Sequence, residues 1–302
     1  AISAFCNGGF SLFSNGLYEA PIRLSYLLHV TIGITILFGS IGFSPIQDIF
    51  SIKNLRMRLE RPWIDWKMST KISIYTSLAL VIIGMVLFII TEYYNVLHDK
   101  TKFEILILSF FQSVTTRTAG FNTVDFSELS NATLLFMVFM MFIGASSGST
   151  GGGIKTSTFL LISLTSFATI KGQKNLNIWN RRIPSELLSK AFSIFVFAST
   201  YNLIMIFILS ITDYEFDTMK LVFEQISAFS TTGLSTGITD NMSLSGQSIL
   251  ILSMFIGRIG TLTLLLALSN KQHTNNYSYP KAHLFTVSYT HLRAHGQEAI
   301  SY

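Results

Sequence analysis

Charge is scarce in this sequence of 302 residues: Asp, Glu, Lys and Arg make up only 12% of it. That is about half the charged share of an ordinary soluble domain, which leaves too little to build a water-exposed surface. Cysteine is nearly absent as well, because the single Cys6 cannot form a disulfide within the chain. A soluble globular fold, a disulfide-rich scaffold and a collagen-like or disordered chain are therefore excluded.

Hydrophobic residues are correspondingly abundant. They make up 49% of the chain, Phe alone occurs 26 times, and the mean hydropathy is +0.49. Such a composition is typical of a membrane protein with several spans, whose helices are apolar on all sides because lipid contacts them. Long apolar runs lie at 24–43, 72–93, 132–170, 191–211 and 249–268. The sequence therefore predicts an all-α polytopic membrane protein.

Two further apolar stretches, 103–114 and 219–229, are shorter than the roughly 20 residues that a spanning helix needs. Basic residues concentrate in the loops 51–71 and 171–190, which predicts that both loops are cytoplasmic. A full crossing by 103–114 would place these loops on opposite sides of the membrane. We therefore expect the short stretch to enter the membrane and return, with a helix on the outer surface as the alternative.

Three segments with matching sequences carry a glycine in the same register. Gly9, Gly120 and Gly233 are 111 and 113 residues apart, and each is followed by a loop and a spanning helix. This repeat indicates duplicated units of helix, re-entrant loop and helix. Non-helical backbone at membrane depth is tolerated where it lines a wet cavity, and its carbonyl oxygens can replace the hydration shell of a cation. The predicted filter residues are Asn7, Gly8, Gly9, Thr118, Ala119, Gly120, Thr231, Thr232 and Gly233.

The third apolar run, at 39 residues, is too long for one span and is interrupted by five glycines at 144–153. Glycine costs about 1 kcal/mol relative to Ala within a helix, so this stretch is predicted to unwind and to lie in the pore below the filter. A small-residue surface for close helix packing is the alternative. The predicted loop consists of Gly144, Ala145, Ser146, Ser147, Gly148, Ser149, Thr150, Gly151, Gly152, Gly153 and, after it, Lys155.

Three cationic residues lie in apolar surroundings. Arg258 is in the middle of the run 249–268, about 15 Å from either end at 1.5 Å per residue, so we expect it to face the pore. Lys155 either faces the pore as well or extends towards the cytoplasmic headgroups. Arg117 adjoins a filter segment, and we expect it to brace that loop against Asp125 or Glu128.

Other chemistries fit the sequence poorly. The stretch GSTGGGIKT resembles a nucleotide-binding P-loop, but Lys155 follows Gly153 one place too late and no β-strand pattern precedes it. The six His have no metal-ligand spacing, and no set of residues suited to nucleophilic catalysis is present. We expect no enzyme activity, no cofactor, no metal other than the transported ion, and no nucleic-acid partner.

Four segments together resemble a known family: SVTTRTAGFNTVDFSEL at 113–129, FIGASSGSTGGGIKTSTF at 142–159, ISAFSTTGLSTGITDNMS at 226–243 and MFIGRIGTLTL at 254–264. They are similar to the membrane subunit of the Ktr/Trk/HKT superfamily of potassium transporters, most closely the KtrB type, over about residues 1–280. The resemblance implies a pseudo-fourfold arrangement of helix, pore loop and helix around one ion pore. It also implies that the loop 144–155 is an intramembrane gate with Arg258 nearby. Ser147 and Thr261 stand where relatives often have Pro.

The resemblance also implies partners and a location. It implies potassium (K⁺) as the transported ion, a homodimer, a cytoplasmic nucleotide-binding regulatory ring of the KtrA type, contact with membrane lipids, and a multi-pass protein of the plasma (inner) membrane. Dependence on sodium (Na⁺) stays open. From the residues alone, a transporter of another monovalent cation such as sodium or ammonium, or a non-conducting structural membrane subunit, are alternatives.

The predicted organisation includes about two and a half of four pore units. The segment 286–302 has neither a helical period nor membrane character and resembles a translated sequencing-adapter artefact, and we expect an N-terminal truncation. The segments are the back half of the second pore unit (1–50), a basic cytoplasmic loop (51–71), the third unit with an interrupted second helix (72–170), a second basic cytoplasmic loop (171–190), the fourth unit (191–270), a cytoplasmic tail (271–285) and a non-native tail (286–302).

Overall fold

The computed structural model describes residues 1–13, 15–20, 22–61, 65–173 and 175–260. The described elements are almost all helical, as the sequence predicts, with one short hairpin. The α-helices are α1 (Ile2–Phe5), α2 (Tyr26–Ile41), α3 (Phe43–Phe50), α4 (Ile52–Glu60), α5 (Met68–Glu92), α6 (Lys102–Thr115), α7 (Asn131–Phe142), α8 (Thr156–Ile170), α9 (Ser185–Thr212), α10 (Thr218–Phe229) and α11 (Leu244–Ile259). The hairpin pairs β1 (Asn177–Ile178) with β2 (Arg181–Arg182) in antiparallel register.

The described residues contain fewer full-length spans than the five apolar runs predict. Only α5 and α9, with 25 and 28 residues, are long and apolar enough to cross a membrane alone. A third span is obtained if α2 and α3, which bend by 99° at their junction, count as one. The third run is divided into α7 and α8 by its glycines, and the fifth run continues past residue 260, outside the described residues. Thr261 and the predicted tails 271–285 and 286–302 also lie outside them.

The short helices α6 and α10 occupy the interior of the molecule. At 14 and 12 residues they are about 21 and 18 Å long, too short for the roughly 30 Å hydrocarbon core. Helix α6 packs between α2 and α5, and α10 contacts α7, α9 and α11. Their C-terminal halves are buried, and Phe111 and Phe223 are fully enclosed. This burial is incompatible with helices that lie on the outer surface.

A buried carboxylate joins the first long helix to the helix that follows the short one in each of the last two units, α5–α8 and α9–α11. Glu92, at the end of α5, accepts hydrogen bonds from the backbone N–H and hydroxyl of Ser130 at 3.0 and 2.8 Å. Asp213, at the end of α9, accepts the same two bonds from Ser243 at 2.7 and 3.1 Å. Ser130 and Ser243 are the N-caps of α7 and α11. The hydrogen bonds that join the end of α5 to the start of α7 are therefore repeated between α9 and α11. We call each such connection a carboxylate lock.

Candidate ion pathway

Three turns with one backbone conformation follow α1, α6 and α10; we call residues 7–9, 118–120 and 231–233 the first, second and third glycine turns. In each turn the first residue and the glycine have positive φ. Positive φ is uncommon for residues other than glycine, so its recurrence at equivalent positions indicates one shared conformation. The angles are +49° at Asn7, +65° at Thr118 and +51° at Thr231, and +70° at Gly9, +81° at Gly120 and +83° at Gly233.

The structure brings the three glycine turns together. A Cβ atom added to Gly9 would lie 2.9 Å from the carbonyl oxygen of Ala119, and one added to Gly120 would collide with the carbonyl oxygen of Thr232. The Asn7 amide also donates to the Thr118 hydroxyl at 3.5 Å. Residues from three distant parts of the chain thus form consecutive sides of one ring, which is packed too closely for side chains at the first two glycines.

The ring is open on one side. A Cβ atom added to Gly233 would have no neighbour closer than 3.9 Å, in contrast to the crowding at Gly9 and Gly120. A cavity of about 520 Å³ lies between the first and third turns. Residues lining it include Asn7, Gly8, Phe10, Thr231, Thr232, Gly233 and Arg258. Within the described residues the ring is therefore open between the first and third turns.

The carbonyl oxygens of the turns accept no hydrogen bond from the described residues. Among the described residues, none of the nine backbone carbonyls at 7–9, 118–120 and 231–233 accepts a hydrogen bond. The turns are held instead by hydroxyls behind them: Thr115 donates to the carbonyl of Phe121 at 2.6 Å, and Ser227 to that of Leu234 at 2.6 Å. The buried hydroxyls of Thr231 and Thr232 also lack partners within the described residues. The ring thus carries carbonyl and hydroxyl oxygens that are free of hydrogen bonds within the described residues.

The predicted interruption of the third apolar run is present. Helix α7 ends at Phe142 and α8 begins at Thr156, and the glycine-rich loop (residues 144–155) connects them. Its base is closed by hydrogen bonds from Ile154 N–H to the Phe142 carbonyl and from Thr156 N–H to the Ala145 carbonyl, both 3.2 Å. Since the chain leaves the helix here, a continuous helix with a small-residue packing surface is the wrong interpretation.

The glycine-rich loop lies directly against the turns. A Cβ atom on Gly151 would collide with the hydroxyl of Thr118, and one on Gly152 with the hydroxyl of Thr231. The hydroxyl of Thr150 donates to the Phe5 carbonyl just before the first turn, at 3.4 Å. The loop therefore contacts the second and third turns and the segment that leads into the first, and its glycines are required by this close approach.

Two cationic side chains hold this loop by its carbonyl oxygens. Arg258 of α11 donates from Nη1 to the Thr150 carbonyl at 2.7 Å, and the Lys155 ammonium donates to the Gly151 carbonyl at 2.5 Å. The structure therefore places Arg258 at the loop. Lys155 turns back onto the loop and does not extend towards the headgroups.

Arg117 does not brace the second turn in the way the sequence suggests. Its side chain is only 1% exposed, and none of its three nitrogens has a hydrogen-bond partner among the described residues. Asp125 accepts instead from the backbone N–H and hydroxyl of Ser127, at 2.9 and 2.6 Å, and caps its own short helix. The predicted pairing with Asp125 or Glu128 is wrong because Arg117 is enclosed in the interior, whereas Asp125 is bound to Ser127 and Glu128 is exposed.

Glu224 is a site residue that the sequence analysis does not single out. It lies within α10, is 4% exposed, and accepts hydrogen bonds from Ser235, Thr236 and Thr239 between 2.8 and 3.0 Å. It thereby fixes the segment that follows the third glycine turn. The available signal was a carboxylate inside a short apolar helix, where burial requires hydrogen-bond partners.

Comparison with known proteins identifies the family. Residues 1–278 match the TrkH family model, described as a cation transport protein. The chain is 38% identical over 281 residues to Ktr system potassium uptake protein D of Bacillus subtilis, covering 93% of this chain and 61% of that protein. It is 37% identical over 295 residues to protein B of the same system and organism, covering 95% and 62%.

A solved structure agrees with this result. The potassium transporter TrkH from Vibrio parahaemolyticus shares the fold with a TM-score of 0.69 at 19% identity, covering 88% of this chain and 56% of that one. The chain thus spans roughly three fifths of the curated relatives it matches. Since the family model covers most of the sequence, this chain belongs to the TrkH family of cation transport proteins.

Proposed function

We propose that this chain forms part of the ion pathway of a potassium uptake system, in a multi-pass protein of the plasma (inner) membrane. The observation that carries the proposal is the ring of free carbonyl oxygens at the three glycine turns. A bare carbonyl at membrane depth costs several kcal/mol, and a dehydrated cation between the turns would satisfy several of them at once. The names of the relatives, potassium uptake proteins, support potassium as the ion.

The open side of the ring is the place for a fourth turn. The first and third turns leave a cavity of about 520 Å³ between them, whereas neighbouring turns elsewhere in the ring are in contact. Roughly two fifths of the length of each relative lies outside its match to this chain. We propose that the full-length protein supplies an equivalent turn there and completes a pseudo-fourfold filter.

The glycine-rich loop acts as the gate in this proposal. It lies against the turns at Gly151 and Gly152, in the path of an ion that leaves the ring on that side. The loop is held there by hydrogen bonds from two cationic groups, Arg258 and Lys155, and such charge-assisted bonds are stronger than neutral ones. An ion passes when the loop leaves this position, so the strength of these bonds sets the open fraction.

The assembly proposed for the full-length protein is a homodimer with a cytoplasmic nucleotide-binding ring of the KtrA type. The relatives are named as components of a Ktr system, which supports a complex of several subunits. A ring of this kind would control flux by favouring one of two arrangements of the glycine-rich loop. Sodium dependence of transport is tested by measuring potassium uptake with sodium present and absent.

The filter is tested by replacing Gly120 with Ser in the full-length protein. A side chain at Gly120 collides with the Thr232 carbonyl and strains a positive φ, so we expect the ratio of potassium to sodium uptake to fall severalfold. Uptake is measured in a bacterium deficient in potassium transport. Gly237→Ser is the matched control, because Gly237 also has positive φ but has no neighbour within 4 Å of an added Cβ.

The outcome separates the alternatives. An unchanged uptake ratio in a well-expressed Gly120→Ser protein would contradict the filter assignment. Preferred uptake of sodium or ammonium by the unsubstituted protein would keep the pathway but change the ion. No flux of any monovalent cation would support a structural subunit.

A further inference from the structure

Helix α4 presents an apolar stripe that the described residues leave uncovered. Ile52 and Leu59 are 84% and 85% exposed, and Leu55 lies between them on the same side at helical spacing. Phe43 and Phe50 on the adjoining α3 are exposed as well. An exposed apolar surface of this extent indicates contact with a partner or a membrane.

Positive charge borders this stripe. Lys53 and Arg56 are exposed on α4, and Arg61 is exposed at its C-terminal end. The one acid on the helix, Glu60, pairs with Arg56 at 3.3 Å, but both side chains are largely exposed. Exposed pairs of this kind contribute little, so a phosphate group can readily compete for Arg56. The outer surface of α4 is thus both apolar and cationic.

A face of α4 beside the stripe, which carries Asn54 and Arg58, is anchored to the protein, so the rotation of the helix about its axis is fixed. Arg58 donates to the carboxylate of Asp48 at 3.0 Å and to its carbonyl at 2.8 Å, and Asn54 donates to the same carbonyl at 3.2 Å. The buried Asp48 also accepts from Lys67 N–H at 3.0 Å and from the Thr70 hydroxyl at 2.8 Å. Asp48 therefore joins α3, α4 and the start of α5 into one unit.

The position of α4 selects the partner. Helix α3 bends 99° away from α2 at Gly42, so it runs roughly along the membrane plane if α2 crosses the bilayer. The basic loop 51–71, which contains α4, is placed on the cytoplasmic side by its charge. Phe50 is exposed and its ring centroid lies 6.5 Å from that of Phe38, so the apolar surface of α3 joins an exposed apolar side chain of α2.

We propose that α4 is an interfacial helix that binds anionic phospholipids of the cytoplasmic leaflet. Ile52, Leu55 and Leu59 insert at the boundary between headgroups and acyl chains, and the flanking Lys53 and Arg56 contact the phosphates. This site is separate from the ion pathway and holds whether or not the filter assignment is correct.

The lipid surface is connected to the glycine-rich loop. At the N-terminal end of α3, Phe43 N–H donates to the Gly148 carbonyl at 3.2 Å, and the Ser40 carbonyl accepts from Ser146 N–H at 3.0 Å. The same helix carries Asp48 near its other end. Helix α3 is therefore hydrogen-bonded to the glycine-rich loop at one end and, through Asp48, to the lipid-binding helix α4 near the other.

The experiment places a fluorescent label on α4 of the full-length protein, in a background with Cys6→Ser and no other reactive cysteine. One variant carries the label at Leu59→Cys in the stripe, and its matched control at Met57→Cys on another side of the helix. Each is reconstituted into vesicles of phosphatidylcholine, with and without phosphatidylglycerol, and quenching by brominated acyl chains is measured. We expect strong quenching at position 59, increasing with phosphatidylglycerol, and weaker quenching at position 57.

A charge variant tests the anionic preference. Lys53→Gln with Arg56→Gln should raise the phosphatidylglycerol fraction needed for half-maximal quenching by about tenfold or abolish saturation. Lys100→Gln with Lys102→Gln removes the same charge on the other side of the protein and should leave the curve unchanged. Equal quenching at both labels, a label at 59 that brominated lipid does not reach, or an unaltered curve in the double variant would overturn the proposal.

Discussion

At the scale of single residues, Arg258 and Lys155 differ in what they connect. Arg258 joins α11 to the Thr150 carbonyl, whereas Lys155 bonds to Gly151 within its own loop. Loss of the first bond removes the tie between the loop and α11, whereas loss of the second removes a bond within the loop and leaves the tie to α11 in place. A hydrogen bond to a charged group contributes about 1.5–3 kcal/mol. Arg258→Gln should therefore raise potassium flux by roughly tenfold or more, and Lys155→Gln by much less.

Flux is measured with the full-length protein in vesicles at matched protein content. Because Gln keeps a donor and much of the volume of each side chain, folding should be retained in both variants. Lower flux in the Arg258 variant, or the same increase in both, would contradict a gate held mainly through α11.

At the scale of elements, the loop between α7 and α8 is built from glycines that approach the turns. Deleting Gly151–Gly153 removes the part of the loop that contacts Thr118 and Thr231. If the loop obstructs the pathway, the deletion should increase flux severalfold, measured as potassium uptake in the transport-deficient strain. Gly172→Ala is the control, since Gly172 also has positive φ but lies outside the loop, and an added Cβ there meets nothing within 4 Å. Equal or lower flux at normal expression would remove the gate role.

The elements also show how far sequence reasoning reaches. Repetition of the glycine register predicts three equivalent turns, and a cluster of glycines predicts a break in a long apolar run, because both features are local properties of the backbone. The pairing of Arg117 was predicted wrongly, and the roles of Asp48 and Glu224 were missed. These depend on which distant segments meet each carboxylate, and spacing along the chain does not record that. Apolar length alone also does not locate a bend such as the one at Gly42.

At the scale of the whole molecule, the repeat is visible in side-chain chemistry as well as in backbone. In the last two units a hydroxyl donates to the carbonyl that follows the glycine turn, from Thr115 in one unit and from Ser227 in the other. A carboxylate at the end of the long helix accepts from the N-cap of the next helix, Glu92 in one unit and Asp213 in the other. The two units therefore form the same hydrogen bonds with different residues. We therefore expect each unit to be held together by its own carboxylate, independently of the carboxylate in the other unit.

That independence predicts additive stability effects. Glu92→Ala and Asp213→Ala each leave a buried N-cap amide without its acceptor, and each should lower the free energy of unfolding by about 1–3 kcal/mol. The two carboxylates belong to different units and share no hydrogen-bond partner, so the double variant should show the sum within about 0.5 kcal/mol. Thermal unfolding of the full-length protein in detergent measures the three shifts. If the double variant is as stable as the less stable single variant, the first substitution has already destabilised both units. The molecule would then be held together by one shared interior and not by two independent carboxylates.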